Sequence, residues 1–138
     1  MHYADYKTIL SPQNGMNLYR GCTHGCIYCD SRSKCYQFDH DFEDIEIKRD
    51  AVKILEQQLR KKRQPCMIGT GSMCDPYIPL ETELQLTRQS IEVIERCGHC
   101  CEFIGSVSHV FENALPDIKF PVMARSNSGA PVCILLAY

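Results

Sequence analysis

From Asp50 onward, apolar positions recur with a helical period. Ala51, Ile54, Leu55, Gln58 and Leu59 fall on one face, with Asp50 in position to cap the N-terminus. The run closes in Arg60, Lys61, Lys62 and Arg63, a basic stretch that suits the negative end of a helix dipole, and Pro65 stops it. A second and clearer helix is predicted over residues 81–97. Leu84, Thr87, Ile91 and Ile94 form its buried stripe, Glu81 and Glu83 lie in its first turn, and Gly98 is its stop. Between the two, residues 66–70 form a short buried strand. A strand over 16–20 precedes the first helix, 42–48 is extended, and 101–107 makes a third strand of the main series. Strand, helix, strand, helix is the pattern of a parallel α/β sheet or barrel.

The period then stops. Pro116, Pro121 and Pro131 interrupt the segment after residue 107, and residues 130–138 are an almost unbroken apolar run. At 138 residues the chain is long enough for one domain with a modest core. Hydrophobic residues at 44% and charged residues at 23% make it globular rather than disordered. A net charge of −2 gives no broad attraction for nucleic-acid phosphates.

Ten cysteines change the picture more than charge does. A disulfide framework needs a secretory context. The N-terminus has no basic segment followed by an apolar run, and no stretch approaches the 18 or so apolar residues of a membrane span. The expectation is therefore reduced thiols in a cytoplasm and no membrane association, a setting in which clustered cysteines point to metal.

Three of them, Cys22, Cys26 and Cys29, are spaced Cys-x3-Cys-x2-Cys, with Tyr28 just before the last. Such spacing puts three thiols on one loop. It also matches i, i+4, i+7 on a helix, but Gly21 and Gly25 each cost a helix about 1 kcal/mol, and Thr23, His24 and Asp30 support no buried stripe. An iron–sulfur cube has four irons and is ordinarily held by four cysteines, so three ligands leave one iron open. Zinc is the rival: Cys35 or His24 would supply a fourth ligand and close a tetrahedral site. Farther on, Cys97, Cys100 and Cys101 with His99 resemble a small metal cluster, although adjacent cysteines have awkward geometry for one ion. Residues 71–79 hold Pro76 and Pro79 and read as a loop leaving a strand end. Gly69 and Gly71 there would let a ligand approach the backbone closely, and a plain strand-to-helix turn explains them equally.

The cysteine motif is similar to the cluster-binding signature of the radical S-adenosylmethionine superfamily. The wider stretch from Asn17 to Arg32, with Arg20-Gly21-Cys22 and His24-Gly25-Cys26, resembles its spore photoproduct lyase-like branch. So does a second block from Ile68 through Thr70, Gly71, Cys74, Asp75, Pro76 and Pro79 to Glu81, followed by Leu86-Thr87-Arg88. The resemblance runs from about Tyr6 to Gly98. It implies an α/β fold, the N-terminal part of a partial (β/α)6 TIM-like barrel cut short. It also implies a [4Fe-4S] cluster on Cys22, Cys26 and Cys29, whose open iron takes S-adenosyl-L-methionine. Thr70, Gly71 and Ser72 would lie near the amino-acid part of that cosubstrate, and Tyr28 near the cluster loop and the adenine. Reductive cleavage would yield methionine and a 5′-deoxyadenosyl radical, with an electron donor such as flavodoxin or ferredoxin as partner. Spore photoproduct lyases act on a thymine lesion in DNA, but family analogy fixes chemistry better than substrate.

Residues 1–98 thus read as the cofactor-binding half of a barrel. Residues 99–138 read as an atypical tail, out of frame or a private cap. A radical has to be shielded from solvent, and half a barrel leaves its cavity open, so an inactive fragment is one expectation. The other function class is a small zinc-binding interaction module using Cys22, Cys26, Cys29 and Cys35.

Overall fold

The structure, a computed structural model, describes residues 1–27, 29–71, 73–105 and 135–137. In chain order its regular elements are β1 (His2–Ala4), β2 (Gly15–Met16), β3 (Tyr19–Arg20), β4 (Glu46–Lys48) and α1 (Ala51–Arg60). There follow β5 (Met67–Thr70), α2 (Glu81–Leu84), α3 (Leu86–Arg96), β6 (Cys100–Gly105) and β7 (Leu135–Ala137). Two single turns of 3-10 helix, Asp30–Arg32 and Lys34–Tyr36, lie in the long connection between β3 and β4.

The strands form two sheets. One is parallel throughout, in the order β2-β5-β6-β7, with Gly15 opposite Gly69, Met67 opposite Cys100 and Phe103 opposite Leu135. Parallel neighbours need a crossover, and the helical connection α2–α3 supplies it between β5 and β6. The other sheet is small and mixed, in the order β1-β4-β3: β1 runs parallel to β4 and β3 antiparallel to it.

α1 and α3 pack together, and one core joins their buried faces to residues of both sheets, Ile68 of β5 and Ile47 of β4 among them. Ala51, Leu55 and Leu59 are buried from α1, Val93 and Ile94 from α3, and Ile68 from β5. Each large aliphatic side chain removed from water this way stabilises the fold by about 1.5–3 kcal/mol. Gln58, on the expected apolar face of α1, has a different task. Its Oε1 accepts the backbone N–H groups of Ile9 (2.7 Å) and Leu10 (3.0 Å), fastening the N-terminal segment to the helix.

Three expected elements differ. The strand over 16–20 is two strands in two sheets: Met16 pairs with Thr70, Tyr19 with Ile47. The chain crosses between sheets at Asn17 and Leu18, where Lys48 N donates to Leu18 O at 3.2 Å. The helix over 81–97 is broken at Gln85, which takes a left-handed φ of 51°. Its cause is Glu81, which is buried, not a surface acid decorating a dipole. Its carboxylate folds back to accept the N–H of Thr87 (3.0 and 2.9 Å), one of the orphan donors in the first turn of α3. Asp50 precedes α1 but makes no side-chain cap: it adopts φ 53° and its carboxylate pairs with Lys53 at 3.1 Å.

Candidate metal centre

The cysteine loop begins where β3 ends. Gly21 takes φ +93°, and a Cβ there would stand 2.4 Å from the carbonyl oxygen of Phe42. Only glycine fits that contact without a backbone shift. The next residue, Cys22, donates its N–H to the same Phe42 oxygen at 3.0 Å, so the start of the loop is pinned to the segment leading into β4. Past that anchor the loop opens to solvent. Cys22 is buried, Cys26 and Cys29 are partly exposed, Ile27 is fully exposed, and Cys29 N closes a turn onto Cys26 O at 3.2 Å. Gly25 has φ +67° with nothing within 4 Å of a would-be Cβ. Cys35 is exposed in the second 3-10 turn.

The second block meets the first at the carboxyl edge of the parallel sheet. β5 ends at the buried Thr70, and Gly71 turns the chain with φ +103°. The loop then brings Cys74 against Cys22. Two smaller contacts tie the second block to the first, His24 Nε2 to Asp75 Oδ2 at 3.8 Å and Met73 N to Asn17 Oδ1 at 3.4 Å, while Tyr77 N donates to Asp75 Oδ1 at 2.8 Å within the second loop. Below them, Asn17, Tyr19, Thr70 and Cys74 are among the residues lining a cavity of about 10 Å³, room on the order of one water.

Electrostatically, the pair of thiols is split. Cys22 is lowered from 9.0 to about 6, chiefly by the hydrogen bond from Cys74, with help from the backbone of His24 and Asp75 and from the His24 charge, against an opposing effect of burial. Cys74 is pushed up by the same hydrogen bond and by its own burial. Near neutral pH, Cys22 is a thiolate facing a protonated thiol. Thiolate is the form that binds metal.

Of the residues marked by sequence, Cys22, Thr70 and Gly71 lie on these facing loops, with Cys26 and Cys29 farther out on the first. Tyr28 and Ser72 lie outside the described residues. Cys74 and Asp75, to which sequence gave no role, are the residues that join the loops. His99 is a packing residue: it is buried, its Nδ1 accepts Cys66 N at 3.2 Å, and its Nε2 reaches Leu59 O at 3.3 Å.

Among the described residues, one trio of ligating side chains, His2, His40 and Glu46, has its atoms within 4.8 Å of one another; the loop cysteines are not gathered that closely. Four sulfurs around one zinc at 2.3 Å would stand roughly 3.8 Å apart, whereas a four-iron cube is larger and its ligands stand wider. No helix among the described residues is long and apolar enough to cross a membrane.

The chain is similar to uncharacterized proteins of Mycobacterium bovis and of two strains of Mycobacterium tuberculosis. Each is 25% identical over 130 residues, covering 88% of this chain and 36% of the relative. The chain therefore spans about a third of the length of the curated relatives it matches, at 36%. A share of 88% is more than residues 1–98 can supply, so the similarity continues past Gly98. No family model matches the chain, and no solved structure matches it.

Proposed function

We propose that the chain is the N-terminal part of a radical S-adenosylmethionine protein, built as part of a (β/α)6 TIM-like barrel. Cys22, Cys26 and Cys29 hold a [4Fe-4S] cluster, and the ends of β2 and β5 form the floor beside it. The observation that carries this reading is the meeting of the two sequence blocks, Cys22 against Cys74 and His24 against Asp75, at the carboxyl edge of parallel strands. In open and closed parallel sheets, reactive groups gather at that edge.

The donor set suits the group. Cys22, Cys26 and Cys29 are free thiols, one of them held as thiolate near neutral pH, on a loop pinned at one end and loose at the other. When bound and reduced, the cluster supplies one electron to the sulfonium of S-adenosylmethionine, releasing methionine and a 5′-deoxyadenosyl radical. The chain's own residues bind and orient. Gly71, lacking Cβ and turning at φ +103°, lets a ligand lie against the backbone, and the buried Thr70 holds the strand end beneath it. Tyr28 and Ser72 are assigned to the same cosubstrate by resemblance. A flavodoxin or ferredoxin is the electron donor, the cytoplasm the compartment, and the substrate is left open.

Anaerobic reconstitution with iron and sulfide tests this. The expected result is a brown protein with iron–sulfur absorbance whose cluster spectrum shifts when S-adenosylmethionine is added. A colourless protein holding one tight zinc through Cys22, Cys26, Cys29 and Cys35, with no iron uptake, overturns it in favour of the interaction module.

A further inference from the structure

The mixed sheet carries a second set of ligands that plays no part in the cluster reading. His2 on β1, Glu46 on β4 and His40 in the segment before β4 turn toward one another. His2 Nε2 stands 3.5 Å from Glu46 Oε2, and His40 Nε2 stands 3.7 Å from the same oxygen. The two imidazoles meet edge to face at 4.9 Å. The parallel pairing of β1 with β4 sets His2 directly beside Glu46, and the segment leading into β4 brings His40 to the same carboxylate.

Each ligand is oriented from behind. His2 Nδ1 is 3.0 Å from Asp44 Oδ2, and His40 Nδ1 is 2.9 Å from the carbonyl oxygen of Asp41. Both acceptors require a proton on Nδ1, which in a neutral ring leaves the lone pair on Nε2. On the carboxylate, Tyr6 OH donates to Oε1 and Arg20 Nη1 lies 3.9 Å from that same oxygen, so Oε2 faces the rings. His40 Nε2 is buried and without a hydrogen-bond partner. The two ring nitrogens and the carboxylate oxygen thus lie within 4.8 Å of one another, and carboxylate–histidine and carbonyl–histidine contacts of this kind are the usual outer shell of a metal site.

Distance decides between a metal and a plain ion pair. A protonated imidazole bonded to a carboxylate would sit at about 2.7–2.9 Å. Two nitrogens and an oxygen around one tetrahedral ion, each about 2.0–2.2 Å from it, stand roughly 3.3–3.5 Å apart. The separations of 3.5 and 3.7 Å are near the second value and well beyond the first.

We propose that His2, His40 and Glu46 bind a divalent transition-metal ion, zinc foremost, as a brace between β1, β4 and the segment that holds the cysteine loop. Two imidazoles and a carboxylate suit zinc and leave a fourth position for water or for Asp39, whose exposed Oδ1 lies 3.9 Å from His40 Nε2. The brace reaches the cluster loop by a short path: Phe42, two residues beyond His40, is the residue whose carbonyl accepts Cys22 N–H.

The test separates this site from the thiols. The full chain, made without a histidine tag, is compared with its Cys22→Ser/Cys26→Ser/Cys29→Ser variant and with His2→Ala, His40→Ala and Glu46→Gln, each placed in that triple-serine background. Zinc is added to each, and bound metal and circular dichroism are measured. One zinc per chain is expected in the triple-serine variant, and at least that one in the parent. Binding weakened tenfold or more is expected in His40→Ala and Glu46→Gln, with unchanged dichroism. If His40→Ala does not fold, Glu46→Gln decides, because the amide keeps the shape and the Tyr6 hydrogen bond. Cobalt in the triple-serine variant should give d–d bands without a thiolate charge-transfer band. No zinc in the triple-serine variant, zinc that persists when His40 or Glu46 is also replaced, or a thiolate band in the triple-serine variant overturns the proposal. None of these outcomes depends on iron uptake by the loop.

Discussion

The two proposed ligand sets differ most in how they are held. At His2, His40 and Glu46, all three ligating atoms converge, and each side chain has a second contact behind it that fixes its orientation. At the cysteine loop, Cys22 is anchored by Phe42 and Cys74, while Cys26 and Cys29 stand partly exposed on a turn. A single ion imposes short ligand separations and is served by preorganised donors. A bulky cluster is served by a loop with one fixed end and freedom to close over it. On the two proposals, converging donors in the free chain mark the ion site, while the cluster loop closes only on its cluster.

The sharpest way to break this contrast is to remove a cluster ligand. Serine at Cys22, Cys26 or Cys29 should abolish iron uptake, read as iron content and visible absorbance after anaerobic reconstitution, while leaving zinc binding at the histidines intact. Retention of a stable cluster by any of the three single variants would remove that cysteine from the ligand set.

Next in size is the anchor. Gly21→Ala forces a Cβ to 2.4 Å from the Phe42 oxygen at φ +93°, and should cost about 2–4 kcal/mol in denaturant unfolding. Gly25→Ala, with φ +67° but open space, should cost only about 1–2 kcal/mol. Equal losses at the two glycines would mean the Phe42 contact does not brace the loop.

A smaller effect sits in the thiol pair. Cys22 is held at about 6 against 9.0 for an ordinary thiol. Because its folded value is depressed, its thiolate adds stability that is complete above pH 9 and lost as pH falls through 6. Cys74, raised, acts in the opposite sense above pH 9, where the unfolded chain loses a proton that the folded chain keeps. Stability of the metal-free chain should therefore climb from pH 6 toward 9 and turn down beyond. Cys74→Ala removes the donor, so the Cys22 midpoint, followed by thiolate ultraviolet absorbance, should move up and that slope should flatten. The smallest effect is expected at Cys35. Cys35→Ser should leave iron loading unchanged, and a loss there would make Cys35 a fourth cluster ligand and close the open iron.

The local patterns were legible because they are local. The helical period of Ala51, Leu55 and Leu59 survives in α1, and the β-rich run around Ile68 survives in β5, since neither needs a distant partner to be recognised. The spacing of Cys22, Cys26 and Cys29 lies within one loop and is visible for the same reason. Where an element depends on what it meets, the pattern misled. Residues 16–20 divide because β5 claims one end and β4 the other, and the helix over 81–97 breaks because a buried carboxylate takes the N–H of Thr87.

Sequence alone determined the periodic faces, the cysteine spacing and the glycine at the head of the loop. Each is set by backbone geometry over a few residues. Tertiary structure alone decided that Cys74 lies against Cys22 and that the ligand atoms of His2, His40 and Glu46 lie within 4.8 Å of one another. Those meetings join residues up to 52 positions apart through strand pairing, and no short-range period encodes them.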